Sequence, residues 1–267
     1  MRTDRLPPLG LAALTVLDVP PLALITLAAR AGFRAVGLRL VAAQPGGIAY
    51  AVTGADLVAC RRRLDDGGMR VHDVEIVTLD AEFDAASLDP VLDQAAALGA
   101  RRVSACGEDP DRARLTASFA ALCERAAARG LGVDLEWMGW RAVATLPQAE
   151  AVVRAADQPN GAVLVDALHL ARNGGTPADV AMLPASLLVS AQLCDAPAAA
   201  PATREGVIAE ARGNRLLPGA GALPLAALLA ALPAATVLSC EIPLSGALAP
   251  EERARRVFAA TAALFVA

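Results

Sequence analysis

The 267-residue chain contains no lysine, so all 24 of its basic residues are arginine. That absence excludes Schiff-base chemistry, a pyridoxal-phosphate anchor and a P-loop lysine. Histidine is scarce, with only His72 and His169, which excludes a histidine-rich zinc cluster. Aromatic residues make up 3% of the chain against a hydrophobic content of 55%, so the core must be built from small and aliphatic side chains. Whatever chemistry occurs here therefore rests on carboxylates, arginines or a bound metal ion. The cysteines, at 60, 106, 123, 194 and 240, are odd in number and without CxxC spacing. That pattern favours a reduced, cytoplasmic protein with buried thiols.

A strong charge of either sign is also missing. The net charge of −4 and isoelectric point near 5.3 offer no basic face for nucleic acid. No uninterrupted apolar run reaches the 18 residues of a membrane span. The apolar stretch 9–29, preceded by Arg2 and Arg5, imitates an export signal, but Asp18 and the Pro20-Pro21 pair interrupt it. It reads as strand, turn and helix.

What the chain does have is a rhythm. Short apolar or β-branched runs at 12–17, 35–40, 71–79, 102–106, 132–138, 162–166, 187–193 and 237–242 read as strands. Alanine-rich helical patterns follow them at 21–31, 55–66, 88–98, 111–129, 146–156, 177–182, 223–232 and 250–265. Gly32, Gly67, Gly68, Gly99 and Gly130 fall where helices should stop. Eight alternations in a chain of this length predict one domain over 1–267, a (β/α)8 TIM barrel of the α/β class. A doubly wound open sheet is disfavoured because no GxGxxG follows the first strand. The interval from 196 to 237 reads as a long loop carrying function.

In a parallel barrel the C-terminal ends of the strands converge on the active site. Reading only those ends gives Arg39, Asp73, Glu75, Glu108, Asp109, Glu136, Asp166, Gln192, Asp195 and Glu241. Four contexts stand out: GVDLEWM around Glu136, AVLVDALH around Asp166, LLVSAQLCD around Gln192 and TVLSCEIP around Glu241. Each apolar run delivers one oxygen-bearing side chain to the same rim. Three carboxylates at close range cannot all stay ionised without a cation, since like charges raise each other's pKa. A hard, all-oxygen donor set suits Mg2+ or Mn2+, with Co2+ as a further candidate, better than zinc. The alternative is a rim of solvated loop carboxylates. Arg39 is the single charge in AVGLRL and suits bidentate binding of a carboxylate or phosphate, or else a structural ion pair. Pro218–Gly221 reads equally as a phosphate cradle or a plain turn. Trp137 and Trp140 either wall the pocket or pack.

The series Glu136, Asp166-x-x-His169, Gln192 and Glu241 resembles the sugar phosphate isomerase/epimerase superfamily of xylose-isomerase-like barrels. GFRAVGLRL around Arg39, VHDVEIVTL around Glu75 and NRLLPGAG at 214–221 extend the resemblance over most of the chain. It implies that Glu136 and Glu241 bind the metal ion and also move protons, and that Asp166 is a further ligand. By the same resemblance His169 and Arg215 contact substrate, with Arg39 and Glu75 as further substrate-binding candidates. The strand-seven ligand is commonly histidine in this family and is Gln192 here. Together with the run from Gln192 to Pro197, that departure resembles a branch containing 3-dehydroshikimate dehydratases.

The chemistry fits these residue types. Removing a proton beside a carbonyl creates an enolate, which one divalent metal ion stabilises, while two carboxylates serve as acid and base. Return of the proton to the opposite face epimerises, return to the neighbouring carbon isomerises, and departure of a β-hydroxyl dehydrates. The expected function is a metal-dependent isomerase or epimerase of a small sugar-like hydroxy-carbonyl compound, with a dehydrating lyase second. A non-catalytic ligand-binding barrel is the reading of another class. An apurinic-site nuclease would need a histidine-rich multi-metal site and a basic face. The expected partner is a small molecule, with neither nucleic acid nor membrane, and exposed alanine-rich helices permit a homodimer.

Overall fold

The structure, a computed structural model, describes residues 6–244 and 248–266; Arg2 and Arg5 lie outside that range. Eight parallel strands close into a barrel in sequence order, with the eighth pairing back on the first. The strands are β1 (Leu9–Leu11), β2 (Ala35–Leu38), β3 (Arg70–Leu79), β4 (Arg102–Gly107), β5 (Gly132–Glu136), β6 (Gly161–Asp166), β7 (Ser190–Leu193) and β8 (Val237–Cys240). This is the TIM barrel anticipated from the alternating pattern.

The outer helices follow the same pattern. They are α1 (Pro21–Ala31), α2 (Gly54–Gly67), α3 (Asp89–Ala97), α4 (Arg112–Ala127), α5 (Leu146–Ala156), α6 (Ala167–Arg172), α7 (Pro177–Ala181), α8 (Arg204–Gly213), α9 (Leu225–Ala231) and α10 (Pro250–Ala263). In α4, Leu115, Phe119, Leu122, Cys123 and Ala126 fall on one face and are buried. Its start is fixed by Asp111, whose carboxylate accepts from the N–H groups of Ala113 and Arg114 at 3.0 Å each. No described helix is long and apolar enough to cross a membrane.

Two sequence expectations change. The first strand is Leu9–Leu11, while Ala13–Val16, expected as strand, forms a 3-10 turn. Apolarity could not separate the two, because both segments are buried. The turn is fixed by Thr15, whose Oγ1 donates to Cys240 O at 2.9 Å and accepts from Ile242 N at 2.9 Å. The interval after β7, expected as one long loop, contains α8 besides the anticipated α9.

The register of β3 also matters for the site. Opposite β2 it carries one extra residue, since Val36 pairs with Val71 but Gly37 with Asp73. Asp73 and Glu75 then face the same small residue. A Cβ on Gly37 would lie 2.8 Å from Asp73 Oδ1 and 2.9 Å from Glu75 Oε1. Glycine there leaves room for two carboxylates inside the barrel.

Candidate metal and active site

A cavity of about 280 Å3 opens at the C-terminal ends of the strands, a size suited to a small molecule. Its lining includes Arg39, Glu75, Glu136, His169, Arg215 and Glu241. Six of the eight residues singled out in the sequence thus share one pocket. The other two, Asp166 and Gln192, are buried beside it and bonded to members of the set.

Asp166 ends β6 and caps α6, so one oxygen is fixed by the chain itself: Oδ1 accepts from His169 N at 2.9 Å. That bond explains the Asp-x-x-His spacing, since the third residue of a helix offers a free N–H to its cap. Oδ2 accepts from Arg215 Nη1 at 2.5 Å. Burial opposes ionisation of Asp166, but Arg215 and His169 outweigh it and hold the carboxyl below its usual range. The His169 ring is held neutral: burial, with Arg215 adding to it, pushes its pKa down to about 4 against the pull of Asp166. Trp140 meets this ring edge to face, with centroids 5.2 Å apart.

Glu136, at the end of β5, is 4% exposed, and its Oε1 has no hydrogen-bond partner. His169 Nε2 lies 3.8 Å from that oxygen. Burial, then the neighbouring Glu241 and Asp166, push Glu136 well above the usual carboxylate range. Glu241 follows β8; burial raises it to about 8 although Arg215 opposes the rise. Gln192 donates from Nε2 to Glu241 Oε1 at 3.3 Å, while its amide Oε1 is buried without a partner.

Arg215 binds the set together. Its Nη2 lies 2.6 Å from Glu241 Oε2, and its Nε donates to Ala211 O at 2.9 Å. Arg39 Nη2 reaches Glu75 Oε2 at 3.3 Å, and Glu75 Oε1 accepts from Ala13 N. The inner mouth thus holds Glu75, Glu136, Asp166 and Glu241 against two guanidiniums. That excess of carboxylate is what a divalent cation would balance. Donor atoms of Glu136, Asp166 and His169 lie within 4.8 Å of one another, and Glu136 Oε1 and Gln192 Oε1 are unpartnered buried acceptors. The residues fit a metal ion. The geometry adds the His169 nitrogen to a donor set expected to be all oxygen.

Other polar strand ends do not join the site. Asp195 accepts from the N–H groups of Gly219, Gly221 and Leu223 at 2.9, 3.0 and 3.0 Å, so the Pro218–Gly221 turn is closed on an internal carboxylate. Asp109 pairs with Arg114 at 2.5 Å, and Glu108 with Arg141 at 2.5 Å. His72 lies toward the opposite end of the barrel against Ser190. Sequence reasoning missed Arg141 and Arg212, which also line the cavity. Arg141 stands one residue beyond Trp140, and that adjacency was the available signal.

Residues 25–263 match the family described as xylose isomerase-like TIM barrel. The chain belongs to that family. A 3-dehydroshikimate dehydratase of Pseudomonas aeruginosa is 37% identical over 140 residues, covering 51% of this chain and 22% of the relative. A 3-dehydroshikimate dehydratase of Pseudomonas putida is 34% identical over 110 residues, covering 41% and 17%. The matched stretches thus span less than a quarter of either dehydratase. Among solved structures, the IOLI protein with a bound zinc atom superposes with a TM-score of 0.80 at 18% identity, covering 97% of this chain and 98% of that one. A D-allulose 3-epimerase from Methylomonas sp., in complex with D-allulose, gives 0.70 at 18% identity, covering 94% and 95%. At these identities the superpositions establish the fold alone.

Proposed function

We propose that this chain is a divalent-metal-dependent enzyme that moves protons beside the carbonyl of a small hydroxy-carbonyl compound, as an isomerase or epimerase. The observation that carries the reading is the buried group of Glu136, Asp166, His169 and Glu241, in which carboxylates outnumber the available cations. Glu136, Asp166 and His169 would hold the ion, with Gln192 and Glu241 beside them. When bound, the ion supplies Lewis-acid polarisation of a substrate oxygen. Mn2+, Mg2+ and Co2+ suit the oxygen donors, and the His169 nitrogen brings zinc into the set to be tested.

The protein's own groups handle the protons. In the metal-free protein Glu241, raised to about 8, exchanges its proton near neutral pH. Glu136 is raised by burial and by Glu241, so the two resist ionising together. One then carries a proton while the other accepts one, as an acid–base pair requires. Neutral His169 contributes hydrogen bonds without adding charge, and Trp140 shields its ring from water.

Dehydration is a second reading with observations of its own. Both Pseudomonas relatives are 3-dehydroshikimate dehydratases, and the resemblance drawn from the sequence places Gln192 at a position that isomerases and epimerases of the superfamily commonly fill with histidine. The same proton removal followed by loss of a β-hydroxyl gives that outcome. Incubating the Mn2+-loaded protein in D2O with D-allulose, D-fructose or 3-dehydroshikimate, followed by NMR, tests both. Deuterium beside the carbonyl in a product of unchanged formula supports the isomerase or epimerase. Loss of water to an unsaturated product moves the chain to the lyase reading. Neither exchange nor metal uptake would leave a non-catalytic binding barrel.

A further inference from the structure

We infer that Arg172 and Glu210 are positioning residues: their ion pair, outside the cavity, fixes the spacing between His169 on one side of the mouth and Arg215 on the other. The inference rests on the metal-site reading and adds the part of the fold that holds that site together.

Neither helix involved can hold itself in place. α6 has six residues and α8 has ten, both short of the length of about 12–15 at which a helix becomes marginally stable alone. α6 is anchored by the Asp166 cap at its start and by the buried side chains of Ala167, Leu168 and Leu170. α8 has less. Its buried residues are Glu210 and Ala211, with Val207 and Ile208 half-buried. A helix anchored through a carboxylate takes its place from whatever pairs with that carboxylate.

The partner is Arg172, the last residue of α6. Its Nε donates to Glu210 Oε2 and its Nη2 to Glu210 Oε1, both at 2.8 Å. This two-pronged contact fixes direction as well as distance. Nη2 also donates to Pro197 O at 2.8 Å. The two side chains are 5% and 7% exposed, so water does not loosen the pair. One guanidinium thus ties together the helix after β6, the segment after β7, and α8.

Both ends of the tie run into the site. Arg172 stands one helical turn after His169 on α6. Glu210 precedes Ala211, which lines the cavity and whose carbonyl accepts from Arg215 Nε at 2.9 Å. Arg215 in turn holds Asp166 and Glu241. A second connection between the same parts is slighter. Arg204, exposed at the start of α8, donates once to Trp140 O at 3.0 Å, and Trp140 meets the His169 ring edge to face. Arg172 and Glu210 are not among the residues that line the cavity, so they act through His169 and Arg215.

Positioning separates from plain stability by experiment, because apolar side chains can replace a buried ion pair without loss of stability but carry no direction. The full chain, with its histidines labelled in 13C and 15N, is compared as parent, E210Q, R172Q, R172Q/E210Q, R172M/E210M and R204A, in EDTA by NMR and then by calorimetric titration with MnCl2. Two histidines give two imidazole signals, and H72Q identifies which is which. In EDTA, E210Q and R172Q should displace or broaden the His169 signal and leave His72 unmoved. Mn2+ should bind at least about tenfold more weakly in each. R172Q/E210Q should bind it no more weakly than the worse single variant, as for two halves of one contact. Each single variant leaves a buried group unpaired and could disturb folding. R172M/E210M removes both charges together: its melting temperature should match or exceed the parent's, while the His169 signal still moves and Mn2+ still binds at least about tenfold more weakly. Parental Mn2+ affinity in R172M/E210M, or an unmoved His169 signal in it and in both single variants, would overturn the inference. So would an effect of R204A as large as that of E210Q. A parent that takes up no Mn2+ defeats the metal reading instead, and the His169 signals in EDTA still decide the positioning role.

Discussion

Arg215 Nη2 lies 2.6 Å from Glu241 Oε2, and Nη1 of the same guanidinium lies 2.5 Å from Asp166 Oδ2. The arginine expected to contact substrate is thus the counter-ion of two carboxylates expected to hold metal. R215Q would leave both carboxylates buried without their counter-ion. Breaking a buried pair this way costs about 3–5 kcal/mol, so metal-free R215Q should melt well below the unaltered protein. A divalent ion supplies the missing charge, and Mn2+ should therefore restore more of the melting temperature in R215Q than it adds to the parent. Thermal denaturation in EDTA and in MnCl2 measures this. Equal Mn2+ shifts in the two proteins would show that ion and guanidinium do not share the same charge.

Glu136 and Glu241 provide the sharpest test of the acid–base assignment. E136Q and E241Q each remove a titrating oxygen while preserving shape, and turnover should fall by about 100-fold to 10,000-fold. Folding should survive, because both variants remove a carboxyl whose ionisation burial already opposes. EDTA should abolish activity in the parent, and Mn2+ should restore it. Unchanged turnover in E136Q alongside a native circular dichroism spectrum would contradict the assignment.

The sequence made the barrel legible because alternation leaves a periodic trace, and most strand and helix positions followed from it. It failed at Ala13–Val16, where a buried 3-10 turn and a buried strand have the same apolar composition. The rim was legible through single polar residues ending apolar runs, which located Glu136, Asp166, Gln192 and Glu241. Pairing was not legible. Nothing in the order of residues says that Arg215 meets Asp166 and Glu241, or that His169 Nε2 comes within 3.8 Å of Glu136, since those contacts form across the mouth. Arg141 and Arg212 were missed for a related reason. They stand on loops and helix ends, whose direction toward the cavity is set by packing.

Asp195 makes a prediction about the loop that carries Arg215. Its carboxylate holds three backbone N–H groups of the 219–223 segment, and its backbone bonds both ways with Leu216. D195A would release those donors to water at a cost of about 2–4 kcal/mol, less than full burial would imply because the segment is partly exposed. Urea denaturation should show the loss. Turnover should fall as well, because Leu216 is the neighbour of Arg215 and the loop would no longer fix that guanidinium. A stable D195A with normal turnover would mean that the turn holds itself.

His72 should make the metal-free protein acid-sensitive. Ser190 Oγ donates to Asp134 Oδ2 at 2.7 Å, so its proton is engaged and His72 Nε2–H is the donor across the 2.8 Å contact with Ser190. The ring therefore sits neutral inside the barrel, and burial pushes its pKa from 6.5 to about 4 against the pull of Asp134. The unfolded chain takes up the proton near 6.5 and the folded chain only near 4, so between those values the unfolded state binds more protons. The resulting stability is present above 6.5 and is lost as pH falls toward 4, by up to about 3 kcal/mol. His169, also lowered to about 4, adds a second contribution of the same sign. H72Q keeps an N–H donor but cannot titrate, so its melting temperature in EDTA should fall less steeply between pH 7 and 4.5. H72Q/H169Q should be flatter still. Identical slopes in all three proteins would mean that neither ring is held neutral by the fold.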